Sequence, residues 1–256
     1  MKKSIVMALA LLFGAIGIIN AADDATPVRK FEPVKPFGEY YIGIGLAGIN
    51  IFDSNPAWDP INSRDVIGGS FDGMENGFSI SAATNLDENS TWMLPFSFEW
   101  LFLSANEQYV RASYQKEFWN HQIDMQKIST GIQWNFCTFP FKDVRAYMGL
   151  EVKAVFVNNQ ELTVKFKNTT TGVLVEEERN YKVKDAAVRL GGEYKIGFRG
   201  ELTHNLYLNI FAGYECLNLL GRDDNRGELL TPLSTYETEE GLVSGIHYNF
   251  IIEYKL

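Results

Sequence analysis

The chain ends in the stretch GIHYNFIIEYKL, from Gly245 to Leu256, in which two kinds of side chain alternate. One parity, beginning at Ile246, is apolar or aromatic throughout, whereas the other is mostly polar and includes His247 and Glu253. A period of two over this length predicts a β-strand with one apolar face. Because the pattern continues to the final residue, the end of the chain is predicted to be a paired strand.

Seven further segments repeat this alternation, although one of them, Tyr109–Tyr114, is weaker than the rest. Together with the closing strand they predict an all-β chain of eight antiparallel strands in up-and-down order. An even number of strands returns both chain ends to one side of a transmembrane barrel. The other six segments are Tyr40–Ala47, Trp92–Phe102, Ile128–Phe136, Arg145–Phe156, Val188–Arg199 and Leu206–Cys216.

The connections between these segments differ in length, which predicts a barrel with short turns at one end and long loops at the other. Short connections are predicted at Ser104–Asn106, around Asn120, at Pro140–Asp143 and at Gly200–Asn205. Long polar loops are predicted at Asp53–Thr91, Asn158–Asp185 and Asn218–Gly241.

Two more segments leave a count of ten strands open. Phe78–Ala82 could form an additional strand, and Leu162–Phe166 could form a hairpin with Val173–Val175. We interpret both as loop structure, because adding them one at a time breaks the even count or puts a long loop at the short-turn end. Eight strands are therefore predicted, and ten are the alternative.

The start of the chain has the three parts of a secretory signal peptide. Lys2 and Lys3 precede the apolar run Ile5–Ile19, which is followed by small residues up to Ala22 and then by acidic residues. The run has about fifteen residues, whereas a membrane-spanning helix needs about twenty. We predict a cleaved signal peptide over residues 1–22, a short periplasmic tether over 23–37 and a barrel domain over 38–256.

Charge and the rarer side chains argue against several functions. The formal net charge of -9 disfavours nucleic acid as a partner, because phosphate backbones attract basic surfaces. The three histidines lie on separate segments without metal-ligand spacing, so neither a metal site nor a cofactor is predicted. Cys137 and Cys216 are compatible with one disulfide or with two thiols.

Alternation alone leaves open whether the apolar face meets lipid or fills the interior of a soluble barrel. The opposite face is rich in glycine and in charges of both signs, which favours a narrow lumen where small residues make room for large ones. Charges buried there have to be paired, because their desolvation is costly. The predicted structural charge network of the lumen comprises Glu99, Arg111, Glu151, Lys153, Arg189, Glu193 and Glu215.

The aromatic residues of the apolar face have a spacing that suits a bilayer. Trp92 and Trp100 are eight residues apart. At about 3.4 Å per residue and a tilt of about 40°, roughly 21 Å separates them along the membrane normal. Membrane barrels carry aromatic girdles at both edges of an apolar band about 25 Å tall. The predicted girdle residues are Trp92, Trp100, Trp134, Tyr248 and Tyr254.

With these features the chain resembles the small eight-stranded outer-membrane proteins of bacteria, the class of the OmpX-type barrels and the OmpA membrane domain. The resemblance extends from YYIGIG at 40–45 to NFIIEYKL at 249–256. It implies export to the outer membrane of a Gram-negative cell, contact with outer-membrane lipid, and recognition of the C-terminal strand by the barrel-assembly machinery. Members of the class usually end in an aromatic residue, whereas this chain ends in Leu256.

The leading hypothesis is a non-enzymatic outer-membrane barrel with a structural or surface-interaction role. The lumen of an eight-stranded barrel is filled by side chains, so no open pore is expected. A small-solute, porin-like channel is the first alternative. An envelope lipid enzyme would need a serine, a histidine and a carboxylate together. Ser244 and His247 fall on opposite faces of their strand, so no catalytic residue is assigned. A soluble periplasmic barrel that binds an apolar ligand is the last alternative.

Overall fold

Ten β-strands make up the regular structure in the part of the chain that the computed structural model describes. That part comprises residues 38–52, 71, 73–105, 108–111, 115–140, 143–168, 177–181, 186–221, 229–230 and 242–256. The strands are β1 (Tyr40–Ile51), β2 (Met74–Asn85), β3 (Trp92–Ser104), β4 (Gln108–Arg111), β5 (Gln115–Thr138), β6 (Arg145–Asn168), β7 (Glu177–Tyr181), β8 (Ala187–Thr203), β9 (Leu206–Leu220) and β10 (Ser244–Lys255). In these ranges, no helix has the length and apolar character needed to cross a membrane. The predicted signal peptide and tether lie outside the described residues and stay predictions.

Eight of the ten strands close into a ring. Each pairs antiparallel with the next ring strand along the chain, in the order β1, β2, β3, β5, β6, β8, β9 and β10. The ring closes between β10 and β1, whose register runs from Tyr41 opposite Lys255 to Ile51 opposite Gly245. The prediction of an eight-stranded, antiparallel, up-and-down barrel is confirmed.

The C-terminal strand is paired along its whole length, as its alternation predicts. β10 lies between β9 and β1, and the amide of Leu256 donates a 2.9 Å hydrogen bond to the carbonyl of Tyr40. Its two parities face opposite sides of the wall. Tyr254 is 49% exposed, whereas the neighbouring Glu253 is 2% exposed and points into the barrel.

Two strand assignments are wrong, although the number of ring strands is right. Phe78–Ala82, which we interpreted as loop, belongs to the ring strand β2. That strand is rich in serine, glycine, alanine and asparagine, which weaken both β propensity and the contrast between its faces. The predicted strand Tyr109–Tyr114 overlaps β4, whose four residues pair with β5 beside the ring and do not belong to it.

The two ends of the barrel differ, and we call them the turn end and the loop end. At the turn end lie the start of β1, the end of β10 and three short connections at 86–91, 139–144 and 204–205. Two of these coincide with the short connections predicted at 140–143 and 200–205. Asn205 has a left-handed φ of 62°, which asparagine tolerates better than most residues.

Three other predicted connections are wrong. Ser104–Asn106 begins at the loop end and not at a turn, the loop predicted at 53–91 contains β2, and Asn120 lies within β5. All three errors have one cause. Leaving β2 out of the predicted order reverses the predicted direction of the next ring strand, β3. Counting the weak segment at 109–114 as a strand then restores the correct direction from β5 onward.

β5 and β6 are longer than the ring requires. Each has 24 residues, and beyond the last pair of β5 with the ring strand β3, Gln115–His121 pairs with Leu162–Asn168. β4 flanks β5 and β7 flanks β6, so four strands form a sheet that extends from the loop end, which we call the projecting sheet. Leu162–Phe166, which we interpreted as part of the loop at 158–185, lies on β6 and forms a hairpin with β7, so that interpretation is wrong. Val173–Val175 lies outside the described residues.

The outer wall of the ring is apolar. Even-numbered residues point outward on the ring strands, and large apolar side chains among them are strongly exposed: 71% for Ile44, 69% for Leu46 and 67% for Val152. The odd-numbered residues point inward. Those in the middle and towards the turn end are mostly polar or charged, and those near the loop end are apolar.

A hydrophobic core fills the interior near the loop end. It includes Leu101 from β3, Met125 from β5 and Val155 from β6, none of which is exposed. Phe71, Leu229 and Leu230, which belong to the long connections, are also part of this core. These three side chains therefore pack into the mouth of the barrel.

Candidate functional site

The strand register brings three glutamates side by side in the interior. Glu151 on β6 lies opposite Glu193 on β8, which in turn lies opposite Glu215 on β9. All three are buried. Like charges directly opposite on neighbouring strands repel, so this arrangement needs cations close by.

Lysines from β5 and β6 lie against these carboxylates. Lys153 Nζ lies 2.8 Å from Glu193 Oε2 and 2.6 Å from Glu215 Oε2. Lys127 Nζ lies 3.0 Å from Glu215 Oε1 and 2.8 Å from Glu99 Oε2. Each ammonium therefore bridges two carboxylates that belong to different strands.

Glu151 has separate partners. Its carboxylate forms an ion pair with Lys195 and accepts a 2.8 Å hydrogen bond from the Ser129 hydroxyl. The Lys195 ammonium also lies over the ring of Phe211, 4.2 Å from the ring centroid. A cation in this position is attracted by the aromatic face.

His247 joins the two sides of the cluster. Its Nδ1 lies 2.8 Å from Glu193 Oε1, and its Nε2 lies 3.1 Å from Glu99 Oε1. Carboxylates this close to an imidazole stabilise a positive charge on it. The two contacts therefore favour the protonated form of His247.

A second group of polar side chains lies nearer the turn end. Arg199 Nε lies 2.7 Å from Glu253 Oε2. Asn209 donates a 2.7 Å hydrogen bond to the other oxygen of Glu253, and the Tyr147 hydroxyl donates a 2.7 Å hydrogen bond to Asn209 Oδ1. These contacts connect β6, β8, β9 and β10 across the lumen.

The charges of these two groups cancel when His247 is protonated, because five carboxylates then face five cations. We call these ten residues the luminal charge network: Glu99, Glu151, Glu193, Glu215 and Glu253 with Lys127, Lys153, Lys195, Arg199 and His247. A balanced set is what burial demands, since an isolated charge is costly in a medium of low polarity.

Inward-facing glycines make room for this network. A Cβ atom at Gly213 would lie 2.3 Å from Glu193 Oε1. At Gly149 it would lie 3.0 Å from Lys195 Cε. The glycines of the polar face therefore provide space for long charged side chains on the neighbouring strands.

Five of the seven predicted luminal residues lie together in the network: Glu99, Glu151, Lys153, Glu193 and Glu215. Arg189 is buried nearer the loop end, where it donates a 3.0 Å hydrogen bond to the carbonyl of Val188. Arg111 lies on β4 beside the ring, so placing it on a barrel strand was wrong.

Lys127, Lys195, Arg199, Glu253 and His247 also belong to the network but were not among the residues predicted for it. All five have the odd numbers that face inward on the ring strands. Lys127 immediately precedes the predicted segment Ile128–Phe136. The other four lie within predicted segments, so applying the inward parity along every segment and one residue past its ends would have found all five.

The predicted girdle residues lie on the outer wall in two groups. Trp92, Trp134 and Tyr254 are near the turn end, and the rings of the two tryptophans stack with centroids 6.1 Å apart. Trp100 and Tyr248 are nearer the loop end. Trp100 packs beside Phe78, with ring centroids 5.7 Å apart.

Glu193, Glu215 and His247 each present one potential metal-ligand atom, and these three atoms lie within 4.8 Å of one another. Lys153 Nζ contacts both of these carboxylates and lies 3.4 Å from His247 Nδ1, so an ammonium already provides the positive charge at this position. A metal ion would have to displace this ammonium.

The structure also answers the disulfide question, since no disulfide joins Cys137 and Cys216.

A smaller polar cluster lies at the turn end, where Glu39 precedes β1. Glu39 accepts a 2.8 Å hydrogen bond from the Tyr41 hydroxyl and forms an ion pair with Lys255. Partial burial raises the pKa of Glu39, but the hydrogen bonds from Lys255 and Tyr41 outweigh it and hold that pKa below its ordinary value. The cluster fastens the start of β1 to the end of β10.

No protein-family model and no curated protein matches the chain. Three solved structures are similar to it in fold. Ail, the attachment invasion locus protein of Yersinia pestis, is 12% identical, with coverage of 86% of this chain and 99% of that chain and a TM-score of 0.41. A second structure of Ail, in complex with the heparin analogue sucrose octasulfate, is 13% identical, with the same coverage and a TM-score of 0.44. Neisserial surface protein A is 12% identical, with coverage of 85% and 96% and a TM-score of 0.39.

The strand pairing itself gives the fold. Every ring strand has two ring neighbours, the order is that of the chain, and the last strand returns to the first. The interior carries the luminal charge network and the outer wall is apolar. The chain is a closed, eight-stranded, antiparallel up-and-down β-barrel with a charged and filled interior.

Proposed function

We propose that the protein is an integral outer-membrane barrel that presents the projecting sheet outside the cell for contact with a partner. In this proposal the barrel has neither an open pore nor an enzymatic activity. The projecting sheet is the observation that carries the surface role. The apolar wall supports the membrane location, and the filled interior supports the absence of a pore.

The apolar outer wall supports a location in lipid. Soluble proteins rarely expose contiguous apolar patches larger than a few hundred Å². Here the outward rows of the ring strands are apolar, whereas the charges lie inside. A soluble barrel that bound an apolar ligand would have the opposite arrangement. The two groups of aromatic residues on the wall also suit the two edges of a bilayer.

The filled interior argues against a diffusion channel. Within the described residues, an internal void lined by Gln133, Arg199 and Asn209 measures about 20 Å³, which is room for about one water molecule. Closer to the loop end the interior is the hydrophobic core that includes Phe71 and Leu230. A solute would have to displace ion pairs first and apolar side chains next.

The surroundings of His247 argue against a hydrolytic site. Both of its ring nitrogens contact carboxylates, those of Glu193 and Glu99, deep in the barrel. A serine hydrolase needs one imidazole nitrogen at the serine hydroxyl. Ser244, the nearest serine along the strand, is likewise buried near the mouth of the barrel.

The projecting sheet supports a role outside the membrane. A barrel that only occupied lipid would need strands as long as the ring, yet β5 and β6 continue for seven paired residues past it and recruit β4 and β7. We also propose that β10, the strand that closes the ring, is the segment that the barrel-assembly machinery reads. Its pairing extends to the last residue.

Cysteine labelling in intact cells tests the membrane location and orientation. In a background with Cys137→Ser and Cys216→Ser, Lys165→Cys lies on the projecting sheet and Glu88→Cys lies in the exposed turn between β2 and β3. A membrane-impermeant maleimide is expected to label Lys165→Cys in intact cells and Glu88→Cys only after permeabilisation. Equal labelling of the two sites, or release of the protein by osmotic shock, would overturn the proposal.

Complementation tests the surface role separately. A trimmed variant replaces residues 108–120 and 163–183 with short turns and keeps the ring. We expect it to reach the membrane and to show heat-modifiable gel migration like the full chain. If the full chain restores the phenotypes of a deletion strain and the trimmed chain does not, the projecting sheet has the proposed role. Full restoration by the trimmed chain would contradict it.

A further inference from the structure

The outer wall is interrupted where β8 meets β9. Between the pairs Leu190–Leu220 and Gly192–Cys216, β9 has two more residues than β8. The extra length leaves Asn218, whose even number would otherwise place it on the outward row, fully buried beside Leu217. The outward row of β9 therefore lacks a projecting side chain at this height.

A groove of about 630 Å³ lies on the wall at this interruption. Gly192 and the buried Cys216 face each other across the strand pair and form its floor. Its sides are apolar and aromatic. They include Leu150, Val152, Tyr194, Tyr214 and Leu219.

The fold does not require glycine at position 192. A Cβ atom there would lie 3.4 Å from Leu219 Cδ1 and 3.5 Å from the Glu151 carbonyl, which are ordinary contacts. At the neighbouring Gly191 a Cβ atom would lie 2.3 Å from the Cys216 carbonyl, so that glycine is needed for close strand approach. The missing side chain of Gly192 thus has one visible effect, which is to keep the groove open.

We propose that this groove binds one acyl chain of a membrane phospholipid. The inference rests on the proposed membrane location, because the groove is continuous with the apolar wall. Water does not fill an apolar cavity that offers it few polar partners. A second copy of the chain is a poor occupant, since a two-fold contact sets a surface against itself and two facing grooves would leave a void. A flexible hydrocarbon chain fits a narrow groove with aliphatic and aromatic sides.

Native mass spectrometry of the detergent-solubilised protein tests the inference, with dioleoyl phosphatidylglycerol as the probe. Gly192→Leu fills the groove, and Ala212→Leu places the same leucine side chain on the wall outside it. We expect Gly192→Leu to weaken retention of one lipid by about tenfold, equivalent to losing contact with about two methylene groups. Ala212→Leu is expected to bind like the unaltered chain, and Gly192→Ala to fall between them.

Equal lipid retention by the unaltered chain and Gly192→Leu overturns the inference, provided that both show heat-modifiable gel migration. A dimer that Gly192→Leu dissociates without added lipid also overturns it, because the occupant is then a second copy. Flotation with phosphatidylglycerol vesicles separates this failure from failure of the membrane location. If the unaltered chain does not float, the proposed function is wrong. If both chains float and retain lipid equally, only the groove inference is wrong.

Discussion

Lys153 on β6 and Glu215 on β9 meet across the lumen, with Nζ and Oε2 2.6 Å apart and neither side chain more than 1% exposed. β8 lies between these two strands in the ring. The contact therefore connects strands that share no backbone hydrogen bonds. It adds an ion pair through the interior to the backbone hydrogen bonds that run around the wall.

Lys153→Met is expected to destabilise the barrel strongly, because it leaves the carboxylates of Glu193 and Glu215 without their shared cation. Breaking a buried ion pair by removing one partner costs about 3–5 kcal/mol. Urea unfolding in detergent micelles, followed by the heat-modifiable gel shift, measures the change. Lys165→Met, at an exposed site on the projecting sheet, is the matched control. Equal unfolding midpoints for the two variants would refute the role of the network.

Adding Glu215→Gln to Lys153→Met should recover part of the loss, because the network then again has as many cations as carboxylates. The two single changes are therefore expected to be non-additive by about 1–3 kcal/mol, as for residues in direct contact. A double-mutant cycle by the same unfolding assay gives the value. Simple additivity would mean that the two side chains do not interact in the folded barrel.

Gly213→Ala is predicted to cost about 1–3 kcal/mol, because its methyl group would overlap the Glu193 carboxylate. Gly192→Ala is the control, since a Cβ atom there meets only ordinary contacts. Both glycines lie on β-strands of the ring wall, so differences in strand propensity largely cancel. Thermal unfolding in detergent should rank Gly213→Ala clearly below Gly192→Ala, and the reverse order would contradict the packing argument.

In planar bilayers the purified protein is expected to give no sustained conductance steps, since ion pairs and an apolar core fill its interior. The matched measurement uses a chain with both Glu151→Gln and Lys153→Gln. If the unaltered chain conducts and this variant does not, ions pass through the charged lumen, and the proposal that the barrel has no open pore is wrong.

Glu39→Gln is expected to destabilise the barrel modestly at neutral pH and to have less effect in acid. The folded pKa of Glu39 is below its ordinary value, so its contribution is present above that value and is lost as the pH falls through the folded pKa. Unfolding midpoints of the two chains should therefore converge below about pH 4. A constant difference across this range would mean that the ionised carboxylate contributes nothing.

The closing segment at 245–256 was sufficient to predict a paired terminal strand, because its apolar and polar residues alternate strictly and such alternation indicates a strand. β2 was missed for a physical reason. Its many small residues line up with large ones on neighbouring strands, so its own sequence carries little contrast; Gly77, for example, lies opposite Leu101. Burial in a barrel is decided by the facing strand as well as by the strand itself.

The composition of the luminal charge network was only partly predictable. Parity identifies which residues face inward, but which charges meet depends on register, and a slip of one residue reverses every side chain. The pairing of Glu99 with Lys127 follows from their being directly opposite on β3 and β5. The contact of Lys153 with Glu215 crosses an intervening strand, so no local pattern contains it.

The continuity of β5 and β6 has a mechanical consequence. At about 3.4 Å per residue, the seven residues of β5 past the ring extend roughly 24 Å, and the backbones of β5 and β6 continue into the wall. The projecting sheet is thus a rigid extension of two strands of the barrel wall. A sideways force at its far end would be transmitted to the ring through β5 and β6, and the register shift between Gln122 and Asp124 marks the point where these strands enter the ring.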